Sequence, residues 1–445
     1  MNQGSIYEGA ELGTVPELNI FEAPLVQTGV LHTSFQEIRP SFALGTQSTP
    51  VEFYIGPNSA NYIDLKRSRL RVVLKLVKED GTDLDANAMV APCNLILHSL
   101  WSQVQVTISN NVISRSNDCY PYKAYIQTLL KNNSEAKTSH LVTQGFHQDT
   151  GSNIDLITAN AGALARKSKF AGSKKVLLEG PLLEDIMQID RYLLNNCSIR
   201  IKLFRSKQPF IVLAEGANVK AQLELLDCSF KVAAVSVHPG IIQGHNSAFV
   251  KNAKAIYPYV KTDITTFNCA KGETTFEFNN LFSGRMPNKV IVCFVYSESF
   301  SGKFDRNPFR LLSTIVSEIE LKADEVSVTG SAIKIDDVTD KKGRSSTDAY
   351  LSMMDTLNPM VTNNFGNMLD PEDFSKDNAL YCFNVLGIGS FTSNFMQVAR
   401  QANARITGRF AEPLTEAVIG LVYSEYSAVL EIDQVRVVKD VSMGQ

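Results

Sequence analysis

The chain has 445 residues, of which 44% are hydrophobic and 20% are charged. At roughly 100–200 residues per domain this length predicts two or three domains, and the composition is typical of a globular protein with a large core. The net charge of −3 excludes a protein whose main task is to wrap nucleic acid, because such proteins are usually basic.

Residues 1–45 predict an extended N-terminal arm. They carry turn-forming residues and scattered apolar ones without clean alternation, and they have no repeat partner, so we expect an arm that is ordered only against another surface and serves assembly. The arm lacks the basic and apolar regions of a signal peptide. The longest apolar runs of the chain, Val290–Tyr296 and Ala417–Tyr423, are far shorter than the ~20 residues of a membrane helix, so no membrane-spanning segment is expected.

Short strands dominate residues 46–238. Residues 102–108 alternate cleanly, with one face formed by Val104, Val106 and Ile108 and the other by Gln103, Gln105 and Thr107. Asn110–Asn111 is a predicted hairpin turn, and the main predicted helix is Tyr122–Leu130. Further predicted strands are Pro50–Ile55, Arg69–Val77, Ser198–Phe204 and Leu223–Val237.

Residues 239–445 repeat this order of elements. Phe278 matches Phe53 and Leu312 matches Leu97 at a nearly constant offset, and a period close to half the chain indicates a duplicated domain and not a solenoid. Ile319, Leu321 and Ala323 are therefore predicted to match the apolar face of residues 104–108. The boundary is placed at the turn-rich stretch His238–Asn246. The sequence thus predicts an all-β chain of two tandem β-sandwiches with short helices in the loops.

Two long segments, Lys131–Lys175 and Thr329–Ser346, interrupt the strands and predict functional or disordered loops at the ends of the sandwiches. The first holds the most marked local run of positive charge, which could contact nucleic acid or an acidic neighbour. A solvated, flexible loop is the favoured alternative, because the run has one interleaved aromatic residue for base stacking, Phe170. The run consists of Arg166, Lys167, Lys169, Lys174 and Lys175.

The signatures of catalysis and metal binding are missing from the sequence. The six histidines form neither an H-x-H nor an H-x-x-x-H pair, and no nucleophile elbow, phosphate-binding loop or H-E-x-x-H motif occurs. Adjacent carboxylates such as Glu184 and Asp185 are interpreted as solvated. We therefore predict no catalytic residue, no metal and no cofactor.

Two further groups have a functional and a structural interpretation. The seven cysteines form no C-x-x-C pair and are interpreted as buried free thiols of a reducing compartment. Trp101 and the aromatic stretch Tyr120–Tyr125 could form a ligand platform. The favoured interpretation makes them core and cap residues that hold the predicted helix on its sandwich.

Residues 51–132 carry a resemblance to a known family. The motifs, in order, are E-F-x-I, Y-I-D-L, N-x-x-L-H-S-L and Y-x-Y-x-A-Y-I, found in VEFYIGPNSANYIDLKRSRL, APCNLILHSLWSQVQV and YPYKAYIQTLLKN. This stretch resembles the major capsid proteins of Polinton/Maverick elements and of the related adintoviruses, and a fainter likeness continues to the C-terminus.

The resemblance implies a double jelly roll of the adenovirus-hexon lineage. Members form homotrimers that look six-sided and tile an icosahedral shell around double-stranded DNA. It further implies contacts with neighbouring capsomers and with penton and minor capsid proteins, an indirect or weak genome contact, and a place in the virion after assembly inside the host cell. The family has no catalytic residues to transfer. This chain is short for such a protein, so we expect modest outward loops.

Three other functions stay open from the sequence. A non-capsid double β-sandwich for binding or adhesion would normally be secreted, and no signal peptide is expected here. An enzyme on a jelly-roll scaffold would require a histidine cluster that the sequence lacks. A minor capsid or vertex protein commonly has one jelly roll, whereas the internal repeat favours two.

Overall fold

The computed structural model describes residues 16–18, 20–21, 23, 26–44, 49–216, 220–279, 281–282, 285–313, 315–339, 343–357, 368–385 and 400–442. The strands of the first half are β1 (Val30–Ile38), β2 (Val51–Ile55), β3 (Asn61–Lys78), β4 (Val90–Pro92), β5 (Trp101–Ile108), β6 (Asn111–Arg115), β7 (Val176–Gly180), β8 (Ile199–Arg205), β9 (Val212–Ala214) and β10 (Ala221–Val237). Its helices are α1 (Ile96–Ser99), α2 (Tyr120–Lys131), α3 (Ala161–Phe170) and α4 (Gln208–Ile211), with 3₁₀ turns at Pro16–Leu18, Ser134–Thr138, His140–Gln144 and Asp185–Gln188.

The second half begins with a helix at the predicted boundary. Its helices are α5 (Pro239–Val250), α6 (Ser297–Ser301), α7 (Thr347–Leu357) and α8 (Pro371–Ser375). Its strands are β11 (Ala255–Cys269), β12 (Thr275–Phe278), β13 (Lys289–Tyr296), β14 (Val316–Ala323), β15 (Val326–Ser327), β16 (Ile333–Lys334), β17 (Asp336–Thr339), β18 (Gly343–Ser345), β19 (Tyr381–Asn384), β20 (Ala404–Phe410), β21 (Val418–Ile432) and β22 (Val438–Ser442).

The two halves have the same sheet topology. The sheets of the first half have the orders β1-β10-β3-β7 and β2-β8-β5-β6, and those of the second have the orders β11-β21-β13-β19 and β12-β20-β14-β15. Each of these strands of the first half thus has a counterpart at the same place in the second, and the pairings are antiparallel. The chain crosses between two sheets in the manner of a jelly roll. The predicted fold, two tandem jelly-roll sandwiches, is confirmed.

Strands β5 and β14 carry the predicted core faces. Val104, Val106 and Ile108 are fully buried, as are Ile319 and Leu321, whereas Ala323 at the end of β14 is half-buried. The placement of Gln103 on the polar outer face was wrong, because this side chain is also buried. The pairing of β5 with β8 shifts register between residues 101 and 103, and such a bulge turns the side chains near it away from strict alternation.

Strand β1 corrects the prediction for the arm. It pairs with β10 over its whole length, from Val30 with Val237 to Ile38 with Phe230, and its counterpart in the second sandwich is β11, which begins at Ala255. The arm therefore contributes a strand to the first sandwich, and that strand has a repeat partner. Sequence periodicity does not indicate strand β1, because β1 is an edge strand whose residues between its two ends are all exposed. Neither of its faces therefore carries an apolar pattern.

Truncation tests this division of the arm. Deleting residues 1–26 should leave a soluble chain with an unchanged β-rich circular dichroism spectrum, because Leu18, Ile20 and Phe21 are exposed. Deleting residues 1–38 should cause aggregation, because the long strand β10 would become an open edge. A monodisperse 39–445 chain with wild-type thermal stability in size-exclusion and melting experiments would contradict the structural role of β1.

The connections are more ordered than the sequence indicated. The hairpin turn between β5 and β6 is Ser109–Asn110, one residue earlier than predicted, because both residues take the left-handed conformation (φ 45° and 70°) that two-residue hairpin turns require. The predicted loop 131–175 contains α3 and two 3₁₀ turns, and the Asn160 side chain caps α3 by accepting from Gly162 N and Ala163 N. In its described residues, segment 329–346 contains β16, β17 and β18.

Candidate assembly interface

Helix α2 lies between the two sandwiches. It packs on α1 and β5 of its own sandwich, and all of its residues from Tyr120 to Leu130 are buried. On the other side, the Tyr125 ring stacks on Phe309 with centroids 4.4 Å apart, and Gln127 donates a hydrogen bond to the Tyr423 hydroxyl at 3.2 Å. Trp101 and the aromatic stretch are core residues, as favoured by the sequence analysis, and the aromatic stretch also holds one sandwich against the other.

A buried ion cluster joins α2 to the second sandwich. Lys123 Nζ lies 3.2 Å from Glu184 and 2.7 Å from Asp185, and all three side chains are buried. Asp185 also accepts from Thr262 N on β11 at 2.8 Å. The interpretation of these adjacent carboxylates as solvated was wrong, because a lysine distant in sequence compensates their charge. Burial, together with the neighbouring Asp185, raises the pKa of Glu184 to about 7.

A second buried network centres on Arg166. Its guanidinium lies 2.7 Å from Asp149 and donates to Pro92 O and His147 O at 2.9 Å each. The Asp149 carboxylate also accepts from Asn307 of the second sandwich at 3.5 Å. Arg166 therefore belongs to the junction and not to a solvated loop, since α3 turns its side chain inward.

The four lysines of the predicted contact loop lie on α3 and after it. Lys174 and Lys175 are exposed, while Lys167 and Lys169 are half-buried. Residues 161–170 are helical because an Asn cap precedes a run of helix-favouring Ala, Leu, Arg and Lys residues. The predicted charge cluster is thus split into one buried arginine and four more accessible lysines.

A third contact between the sandwiches lies near the start of β11. Leu194 N donates to the Tyr257 hydroxyl at 3.2 Å, and Arg436 donates to Asn195 O at 2.9 Å. Linker helix α5 lines a groove of about 510 Å³ beside this contact, and Phe249 of that helix is buried. The two sandwiches are therefore joined by polar and apolar contacts at several places, which favours a rigid block over two mobile domains.

His98 and the seven cysteines are buried side chains. His98 is buried and hydrogen-bonded to the Tyr120 hydroxyl and to Gln144, both at 2.9 Å, and burial lowers its pKa to about 4. All seven cysteines are buried, as predicted. Within the described ranges no group of three His, Cys, Asp or Glu residues could hold a metal ion. Among the helices of the described residues, none is long and apolar enough to cross a membrane.

The fold and the junction place this chain among double jelly-roll proteins. The solved structures that it resembles are double jelly-roll viral major capsid proteins. The structure of the Sputnik virophage matches with a TM-score of 0.65 at 12% identity, covering 100% of this chain and 95% of the other. The PBCV-1 virus capsid matches at 0.55 and 9% identity, covering 95% and 99%. The mavirus major capsid protein matches at 0.52 and 12% identity, covering 99% and 97%.

Sequence comparison adds one relative and no family. A protein of Caenorhabditis elegans, "Uncharacterized protein F54H12.2", is 24% identical over 398 residues, which cover 87% of this chain and 92% of that protein. No family model matches the chain. At these identities the structural likeness establishes the fold alone.

Proposed function

We propose that this chain is a structural protein, the major capsid protein of a double-stranded DNA virus or virus-derived element of the Polinton and adintovirus kind. Its homotrimers would be six-sided capsomers that tile an icosahedral shell in the virion, after assembly inside the host cell. The observation that carries the proposal is the duplicated jelly roll whose two sandwiches are joined by buried contacts. Three copies of such a block supply six similar sandwiches, a shape that tiles a surface without gaps.

The charge distribution supports a shell protein with little genome contact. A net charge of −3 permits many copies to lie side by side without strong self-repulsion. The proposed charged contact with nucleic acid or an acidic neighbour consists of four lysines, the exposed Lys174 and Lys175 and the half-buried Lys167 and Lys169. Arg166 is not part of it, because its guanidinium pairs with Asp149. Neighbouring capsomers and penton or minor capsid proteins are the other proposed partners.

The predicted limits were residues 1–45 for the arm, 46–238 for the first jelly roll and 239–445 for the second. The proposed limits differ at one place, because β1 (Val30–Ile38) belongs to the first jelly roll. Within the arm, the role in assembly belongs to the residues before β1. Their exposed apolar side chains, Leu18, Ile20 and Phe21, would be covered by a neighbouring copy.

Sedimentation velocity and negative-stain electron microscopy of the purified full chain test this function. We expect a trimer at micromolar concentration and six-sided particles, since an obligate interface buries more than ~2,000 Å². A natively folded monomer at that concentration would refute the capsomer. Retention of the folded monomer on a glycan or protein surface would favour a binding or adhesion module instead.

A further inference from the structure

Among the described residues nothing pairs with the outer edge of strand β1, whereas the same edge of its counterpart β11 is covered. In the second sandwich the β11 edge receives the first sandwich, through Asp185 at Thr262 N and through Leu194 at the Tyr257 hydroxyl. In the first sandwich the same edge position belongs to β1. Its residues 31–37 are all exposed, with Leu31 at 57% and Phe35 at 51% of full exposure.

Helices α2 and α7 show the converse difference. They occupy the same place in the repeat, since Tyr350 follows Tyr125 at the same offset as Phe278 follows Phe53. Helix α2 is buried because the other sandwich covers it. Helix α7 packs on β19 of its own sandwich, where Ser352 donates to Cys382 O at 2.8 Å. Asp348, Leu351 and Asp355 of this helix are exposed, Leu351 at 36%.

We propose that the β1 edge of the first sandwich is the docking surface for a second copy of this chain, whose second sandwich approaches it with the α7 side. This inference rests on the proposed function and specifies its subunit contact. The contact within one chain runs from the α2 side of the first sandwich to the β11 edge of the second. If an equivalent contact forms between chains, the α7 side of the second sandwich of one chain meets the β1 edge of the first sandwich of the next chain.

Symmetry and the exposed strand edge both support this partner. A head-to-tail contact of this kind closes into a ring when its rotation permits, and a ring of three chains would alternate the contact within a chain and the contact between chains. An open edge strand with exposed Leu31 and Phe35 is a surface that proteins usually cover.

Phe35→Glu in the full chain tests the docking surface. We expect an unchanged circular dichroism spectrum, because Phe35 is exposed in the single chain, together with loss of the trimer in sedimentation velocity. Tyr54→Glu is the matched control, since Tyr54 is 47% exposed on the opposite sheet and its ring lies 5.7 Å from the Arg200 guanidinium. The control should remain trimeric.

Cross-linking between two differently tagged copies decides the orientation even if Phe35→Glu misfolds. Phe35→Cys and Leu351→Cys chains are co-expressed and treated, natively, with a short bis-maleimide; the native cysteines are buried. We expect a cross-link joining the two tags, and none when Tyr54→Cys replaces Phe35→Cys.

The possible outcomes separate the two claims. A Phe35→Glu trimer as stable as the wild type would overturn the docking surface, and so would absence of the mixed cross-link in a trimeric sample. Cross-linking among Phe35→Cys chains alone would replace it with a symmetric β1–β1 contact. A wild-type chain that stays monomeric would overturn the proposed function itself.

Discussion

Val106→Asp and Leu321→Asp should each leave the chain insoluble. Both side chains are fully buried, at matched places on β5 and β14 in the two sandwiches. An unpaired charge buried there costs about 3–5 kcal/mol, which is a large part of the roughly 5–15 kcal/mol that stabilises a typical domain. The measurement is the soluble fraction after expression, followed by urea unfolding of any soluble material.

The controls place a charge on the opposite faces of the same strands. Gln105 and Glu320 are half-buried, so Gln105→Asp and Glu320→Lys should fold and lose less than about 1 kcal/mol. A control that folds but no longer trimerises would locate a further subunit contact. If Val106→Asp and Leu321→Asp both fold normally, β5 and β14 are not equivalent core strands.

Lys123→Met should destabilise the chain by about 3–5 kcal/mol, because it leaves Glu184 and Asp185 buried without their cation. The loss should appear as a lower urea midpoint at fixed protein concentration. The matched control is Lys66→Met, since the Lys66–Asp190 pair is 2.6 Å apart but 56% and 85% exposed. Exposed pairs of this kind contribute about 0–1 kcal/mol.

The pH dependence of Lys123→Met has a defined sign. Burial already raises the pKa of Glu184 from 4.5 to about 7, and removing the cation should raise it further. A group whose pKa is higher in the folded state stabilises the fold below its unfolded pKa and loses that effect as the pH rises through the folded value. The deficit of the variant should therefore shrink as the pH falls from 8 to 5. A deficit equal to that of Lys66→Met at pH 8 would show that the cluster contributes little.

The strand pattern, the repeat and the main helix were predictable from the sequence, because they depend on local periodicity. Alternation at residues 104–108 and the nearly constant offset between matched segments of the two halves were sufficient to predict two similar sandwiches. Motifs in residues 51–132 then indicated the jelly-roll class. Strand β1 was not predicted, because an edge strand exposed on both faces has no apolar periodicity.

The junction between the sandwiches was decided by tertiary structure alone. Lys123, Glu184 and Asp185 look like surface residues until the fold brings them together, since their burial depends on mutual compensation of charge between residues distant in sequence. Arg166 has the same explanation: the fold brings α3 against Asp149, whose carboxylate lies 2.7 Å from the guanidinium. Periodicity along a chain determines which faces are apolar, but the pairing of distant charges is determined only when the faces meet.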